Sequence, residues 1–225
     1  MGRINFSTPP DTPKKDTGNP PVINQVFILD ASGSMGEMNY KGTKLYNAVD
    51  GIQEIIDANN AAKDRIVHTT LIVFSSNVDF ILYAQKGEVQ KIRKLIDTAR
   101  YGGSTSLYDA ICKCIKHDGY ADGAMLVNIF TDGEENTSTH YKLDDCREMI
   151  QNAIKDKWTI TFVGTQHDVL DCQKKFGLLE GNLLIHDNTG EGIKKSLTKT
   201  LNATQSYVAD LTMGLDVTDG FYKKM

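Results

Sequence analysis

Short, almost continuously apolar runs alternate with amphipathic stretches along most of the chain, and this alternation most constrains its fold. The runs occupy residues 26–29, 70–74, 125–130, 160–163 and 183–185. Strands of this composition are buried on both faces, as they are in parallel sheets. The intervening stretches place apolar residues three and four positions apart, which predicts helices that lie on a sheet. The pattern therefore predicts an α/β fold, a Rossmann-like open and mostly parallel sheet with helices on both faces.

The spacing after the second run predicts one antiparallel strand. Residues 78–83 follow this run after only Ser75-Ser76-Asn77, and so short a connection allows a hairpin but not a parallel crossover. We therefore expect a single antiparallel strand at one edge of the sheet. The predicted helical stripes lie within residues 45–56, 89–96, 107–114, 143–153 and 193–208.

Proline placement divides the chain. All five prolines lie within the first 21 residues, which predicts a flexible, proline-rich arm over residues 1–21. The α/β domain is expected to cover residues 22–208, followed by a C-terminal extension over residues 209–225. Because the extension contains apolar residues such as Phe221 and Tyr222, we expect it to pack back on the domain.

Composition argues against several classes of protein. The chain has 25 Lys and Arg against 29 Asp and Glu, a formal net charge of −4, whereas nucleic-acid binders normally show a basic excess. No apolar run approaches the roughly 18 residues of a membrane span. The four cysteines are too few for a disulfide scaffold, and the first residues do not resemble a secretory signal. We therefore expect a cytoplasmic protein with reduced thiols that binds neither nucleic acid nor membrane.

Three polar loops contain the candidate metal-binding residues of the sequence. Residues 30–36 follow the first predicted strand, residues 131–136 follow the fourth, and residues 102–107 open a helix. In an open α/β sheet, ligands bind beyond the carboxyl ends of the strands, where the strand order reverses. The loops offer carboxylates and hydroxyls, without thiolate or imidazole. Such hard oxygen donors suit Mg²⁺, with Mn²⁺ or Ca²⁺ as alternatives.

The order of these residues resembles a known family. Asp30, Ser32 and Ser34 in an Asp-x-Ser-x-Ser motif, then Thr105 after paired glycines, then Asp132 in Thr-Asp-Gly resemble the von Willebrand factor A (VWA) domain. The resemblance implies an intact metal-ion-dependent adhesion site (MIDAS) with these five residues as metal ligands. It implies that the hydroxyls bind the ion, and that the two aspartates hold it directly or through water.

The resemblance covers about residues 22–208 and implies a function. In the family, the open coordination position of the ion accepts a carboxylate from a partner protein. A site with only two formal negative charges leaves a divalent ion electrophilic toward such a group. We therefore expect a non-enzymatic, metal-dependent protein-binding module whose partner supplies an Asp or Glu carboxylate. The absence of a recognisable secretory signal favours an intracellular bacterial or phage type.

Other interpretations of the same residues stay open. Asp30 and the serines could cap a helix, and Asp132-Gly133 could form an ordinary turn. A serine hydrolase is the alternative function, because Ser34 stands in an elbow-like Ser-Gly-Ser-Met-Gly turn. Asp132 and either His167 or His186 would complete its triad.

The other acidic residues in or near these loops are not expected to bind the metal. Glu134 and Glu135 are expected to be solvated acids, and Asp109 is expected to complement the dipole of its helix from the first turn. An aspartate-nucleophile phosphatase would need a second acid at position 32, where Ser32 stands.

Overall fold

The computed structural model describes residues 19–87, 91–96 and 101–223. Most of the predicted arm, residues 1–18, lies outside the described residues, as does Val89 of the second predicted helical stripe. Among the described helices, none combines the length and the apolar character that a bilayer span requires.

Within the described residues, six strands form one open sheet in the order β3-β2-β1-β4-β5-β6. They are β1 (Val22–Asp30), β2 (Ile66–Phe74), β3 (Val78–Lys86), β4 (Ala124–Phe130), β5 (Thr159–Gly164) and β6 (Leu183–Ile185). Only the β2–β3 pair is antiparallel within the described sheet, and β3 lies at its edge. The predicted open, mostly parallel sheet with one antiparallel edge strand is confirmed.

Helices cover both faces of the sheet. They are α1 (Lys44–Ala61), α2 (Ile92–Leu95), α3 (Leu107–Ile115), α4 (Leu143–Lys155), α5 (Gln166–Phe176) and α6 (Gly190–Thr212). The alternation along β1 divides the core, because successive side chains of a strand point to opposite faces. Phe27 and Leu29 belong to the cluster under α1 and α6. Val26 and Ile28 belong to the cluster under α3, α4 and α5.

A close approach between α1 and α6 depends on Gly51. A Cβ atom at this position would lie 2.6 Å from Leu197 Cδ1 and 2.8 Å from Leu197 Cβ. The glycine therefore allows the two helices to pack more closely than any other residue would.

Two aromatic residues after α6 pack against the domain. Helix α6 continues through the predicted boundary between residues 208 and 209 and ends at Thr212. Phe221 and Tyr222 are buried. The Phe221 amide donates to Asn182 Oδ1 at 3.0 Å, and the Tyr222 and Thr200 hydroxyls lie 3.0 Å apart. Phe221 and Tyr222 are thus part of the core, whereas Met213 and Leu215 in the same segment are exposed.

The topology fixes where a site can form. Strand β1 pairs with β2 on one side and β4 on the other, so the strand order reverses between β1 and β4. The loops after these two strands leave the sheet side by side at its carboxyl edge. A crevice opens at this kind of position in open α/β sheets.

Candidate metal site

The structure brings the five predicted ligands together at the carboxyl ends of β1 and β4. Ser34 Oγ donates to Asp132 Oδ1 at 2.7 Å, and the Ser32 and Ser34 hydroxyl oxygens lie 3.1 Å apart. Oxygen atoms of Thr105 and Asp30 join them around Gly133. Ser34 is exposed whereas Ser32 and Thr105 are buried, so the group opens to solvent on its Ser34 side.

Asp30 ends β1 and is fully buried. Its Oδ1 accepts from the Ser32 amide at 2.7 Å, and its Oδ2 accepts from the Thr131 hydroxyl at 2.6 Å. Burial is the largest influence on this carboxyl, and it raises the pKa of Asp30 to about 6 against the lowering effect of these hydrogen bonds. Because both of these donors are neutral, a cation beside Asp30 would offset the desolvation of its carboxylate.

Glycines allow the loop of residues 30–36 to contact the loop of residues 102–107. The Gly33 amide donates to the Gly103 carbonyl at 3.2 Å. Gly102 and Gly103 have φ angles of 122° and 74°, in the region that L side chains rarely adopt. This backbone contact places the Asp-x-Ser-x-Ser loop against the loop that carries Thr105.

Asn136 positions Thr105, a role that the sequence did not indicate. The Thr105 amide donates to Asn136 Oδ1 at 2.8 Å, and the Asn136 amide donates to the Thr105 carbonyl at 3.0 Å. Asn136 follows Asp132 by four residues, so the loop that carries one predicted ligand also holds another. A paired exchange of this kind restricts the position of the Thr105 side chain.

Glu135 is not a solvated acid, and that prediction was wrong. Its carboxylate accepts from the amides of Tyr108, Thr137 and Ser138 at 2.9, 2.8 and 2.6 Å, and from the Ser138 hydroxyl at 2.7 Å. It therefore satisfies an amide at the start of α3 and closes its own loop. Glu134, in contrast, is exposed and meets His167 Nε2 at 3.0 Å.

Asp109 is buried and does more than complement the dipole of α3. Its carboxylate accepts from the amides of Thr139, His140 and Tyr141 at 3.0 to 3.1 Å, and it meets His140 Nδ1 at 3.0 Å. Burial raises its pKa, but these hydrogen bonds outweigh that effect and hold the pKa below its ordinary value. Asp109 thus fixes the segment that leads into α4.

Lys44 is a further residue at the site that sequence reasoning missed. Its Nζ forms an ion pair with Asp132 Oδ2 and donates to Asn188 Oδ1 at 2.6 Å. Lys44 lies 88 positions from Asp132 and 144 from Asn188. Because no local motif connects positions so distant, only the folded sheet and helices reveal the contact.

The space around Gly133 tests whether the donors fit a metal. A Cβ atom at Gly133 would lie 3.1 Å from Thr105 Oγ1, 3.5 Å from Asp30 Oδ2 and 3.6 Å from Ser34 Oγ. Three oxygen atoms from three residues thus surround a space that the glycine leaves free. Hydroxyl and carboxylate oxygens are ligands for hard divalent cations, so the residues present fit such an ion.

The proposed metal ligands differ from those of sites built mainly from carboxylates, thiolates and imidazoles. Among residues 19–87, 91–96 and 101–223, no group of three or more His, Cys, Asp or Glu is placed to hold a metal ion. The five predicted ligands include two aspartates, and their other donors are hydroxyls. Any ion at this place would depend on Ser32, Ser34 and Thr105 as much as on the carboxylates.

A groove beside the site offers room for a partner. It has a volume of about 590 Å³, and its lining includes Ser32 and Gly33 together with Met38, Leu45 and Tyr101. The groove therefore begins at the Asp-x-Ser-x-Ser loop and continues over apolar and aromatic side chains.

The two histidines of the hydrolase alternative have other partners. His167 Nε2 lies 3.0 Å from Glu134 Oε1, and His186 Nδ1 lies 2.7 Å from the Asp187 carbonyl. The Ser34 hydroxyl donates directly to Asp132. In a hydrolase triad the imidazole lies between the serine and the acid. Here the serine contacts the acid directly, and neither histidine lies between them.

Comparison with known proteins finds a matching family model and solved structures of similar fold. Residues 25–134 match the family model described as the von Willebrand factor type A domain, and this range includes all five predicted ligands. No curated protein sequence matches the chain.

Solved structures with low sequence identity share the fold. Proximal thread matrix protein 1 from the mussel byssus, with a zinc-occupied MIDAS motif, is 15% identical with a TM-score of 0.61, covering 82% of this chain and 46% of that chain. The von Willebrand factor type A protein from Catenulispora acidiphila is 17% identical with a TM-score of 0.58, covering 82% of this chain and 43% of that chain. BatB from Bacteroides thetaiotaomicron is 13% identical with a TM-score of 0.56, covering 84% of this chain and 99% of that chain.

The chain spans less than half the length of the mussel and Catenulispora proteins. Residues 25–134 thus resemble the von Willebrand factor type A domain in sequence, and the described sheet has the α/β fold that these solved structures share.

Proposed function

We propose that this chain is a divalent-metal-dependent protein-binding module with an intact MIDAS. Asp30, Ser32, Ser34, Thr105 and Asp132 would hold the ion, most simply Mg²⁺. The observation that carries the proposal is the convergence of oxygen atoms from Thr105, Asp30 and Ser34 on the space beside Gly133. The zinc-occupied MIDAS motif of the mussel protein supports a divalent cation at a site of this kind.

When bound, the ion supplies a Lewis-acidic centre to which a carboxylate of a partner protein coordinates. The chain's own residues determine access to that centre. Ser34 lies on the exposed side, and the groove lined by Met38, Leu45 and Tyr101 begins next to it. A partner with an Asp or Glu flanked by apolar residues would use both features.

A binding role is favoured over catalysis by the contacts of the acids and histidines. A hydrolase needs a base placed beside its nucleophile or its attacking water. Ser34 donates to the Asp132 carboxylate, while His167 and His186 bond elsewhere. We therefore propose no enzymatic activity. A cytoplasmic location and an intracellular bacterial or phage type stay predictions from the sequence.

Metal titration of paired variants tests the proposal. Calorimetry with Mg²⁺ and Mn²⁺ should give one site in the wild type, and affinity should fall at least about tenfold in Thr105→Ala, which loses one hydroxyl donor. Ser104→Ala is the matched control, because it removes the neighbouring hydroxyl that is not a proposed ligand. Equal metal affinity in both variants would remove Thr105 from the site, and no metal binding by the wild type would reject the proposed function.

A further inference from the structure

The Lys44 ammonium group introduces a fixed positive charge into the proposed metal site. Lys44 is the first residue of α1, directly after the N-cap Thr43, whose side chain accepts from the Tyr46 amide. This cap fixes the start of the helix beside the loop after β4. The side chain of Lys44 is only 14% exposed, and the Asp132 side chain with which it pairs is fully shielded from solvent.

A second contact holds the ammonium in place. Lys44 Nζ donates to Asn188 Oδ1 at 2.6 Å, and Asn188 directly precedes the N-cap of α6, Thr189. The close approach of α1 and α6 keeps these segments together: a Cβ at Gly190 would lie 2.1 Å from the Gly42 carbonyl oxygen. Lys44 therefore joins an acid of the site to the loop before the last helix.

This ion pair changes the charge of the site. Asp30 and Asp132 together carry two formal negative charges when ionised, and Lys44 reduces the sum to one. With a divalent ion bound, the group would carry one net positive charge instead of none. A partly shielded positive charge repels a metal cation and attracts an anion.

We propose that Lys44 sets the selectivity of the site, weakening its hold on the metal while strengthening its attraction for an anionic carboxylate over a neutral oxygen ligand. The inference rests on the proposed function and deepens it, since it states which charge the partner's ligand must bear. If Lys44 only positioned Asp132, loss of the Lys44 ammonium group would weaken both metal binding and partner binding. If it sets selectivity, the two affinities move in opposite directions.

Two measurements on the full chain separate these roles. Calorimetry with Mn²⁺ at neutral pH gives metal affinity, and water-proton relaxation of the Mn²⁺-loaded protein during titration with acetate gives carboxylate affinity. The variants are Lys44→Gln, which keeps a hydrogen-bonding group but loses the charge, and Lys44→Arg, which keeps the charge. The control is Lys41→Gln, which removes an exposed charge from the preceding loop.

Lys44→Gln should bind Mn²⁺ about tenfold more tightly and acetate several-fold more weakly than the wild type. Lys44→Arg and Lys41→Gln should stay within about twofold of the wild type in both. Should Lys44→Gln fail to fold, Asn188→Asp gives a second route, because a new carboxylate beside the ammonium should also tighten Mn²⁺ binding and weaken acetate binding.

Unchanged or weaker Mn²⁺ binding by a folded Lys44→Gln variant would overturn the inference while leaving the proposed function intact. Absence of Mn²⁺ binding in the wild type would reject the proposed function itself, and the inference with it.

Discussion

Gly133 contributes to the candidate site because it has no side chain to fill the space beside the proposed ligands. A β-carbon at this position would lie 3.1 to 3.6 Å from oxygen atoms of Thr105, Asp30 and Ser34. The same loop contains Glu135, whose carboxylate accepts four hydrogen bonds. One residue thus leaves space for a ligand, and another holds the surrounding backbone in place.

Gly133→Ala is expected to lower Mg²⁺ affinity by about tenfold or more, because the new methyl group competes with the ion for the space between the donors. Calorimetric titration checks this, and circular dichroism with a thermal melt in chelator reports on the fold. The melting temperature in chelator should change by less than about 4 °C, since the cost of a strained surface contact is about 1 kcal/mol or less in a domain of this size. Wild-type Mg²⁺ affinity in this variant would place the ion elsewhere.

Glu135→Ala is expected to lower the free energy of unfolding by about 2 to 4 kcal/mol, because the amides at the start of α3 and in its own loop lose a charged acceptor. The melting temperature should then fall by about 6 to 12 °C. Glu134→Ala is the matched control, since Glu134 is exposed, and it should change stability by less than about 0.5 kcal/mol. Similar melting temperatures for the two variants would show that the Glu135 hydrogen bonds do not stabilise the fold.

At the scale of secondary-structure elements, the pair α1 and α6 frames the side of the site that contains Lys44. Helix α1 begins at Lys44, α6 begins two residues after Asn188, and the helices touch further along at Gly51 and Leu197. Their spacing therefore bears on whether the Lys44 side chain can reach Asn188 while it pairs with Asp132 on the loop after β4.

Gly51→Ala is expected to destabilise the domain by about 1 kcal/mol. The methyl group would overlap Leu197, an overpacking that costs about 2 kcal/mol, while the better helix propensity of alanine returns about 1 kcal/mol. A melt compared with that of Glu54→Ala, an exposed substitution in the same helix, measures the difference. If Gly51→Ala were more stable than the wild type, helix propensity would outweigh the close contact.

At the scale of the whole molecule, the sheet and the position of the site were accessible from local sequence patterns. Buried strands are marked by continuous apolar runs, and the polar residues directly after β1 and β4 must meet where the strand order reverses. The ion pair of Lys44 with Asp132 was not accessible, because it depends on how α1 packs across the sheet. The hydrogen bond from the Tyr108 amide to Glu135 was not accessible either, because it joins positions that are 27 residues apart.

The most direct test of the central claim is an anomalous-diffraction experiment on crystals of the full chain grown with Mn²⁺. We predict one anomalous peak beside Gly133, with oxygen atoms of Ser32, Ser34 and Thr105 among its ligands and with a remaining position facing the solvent. A peak at another place, or no peak there at a Mn²⁺ concentration that saturates calorimetric binding, would contradict the assignment of these loops as a metal-dependent binding site.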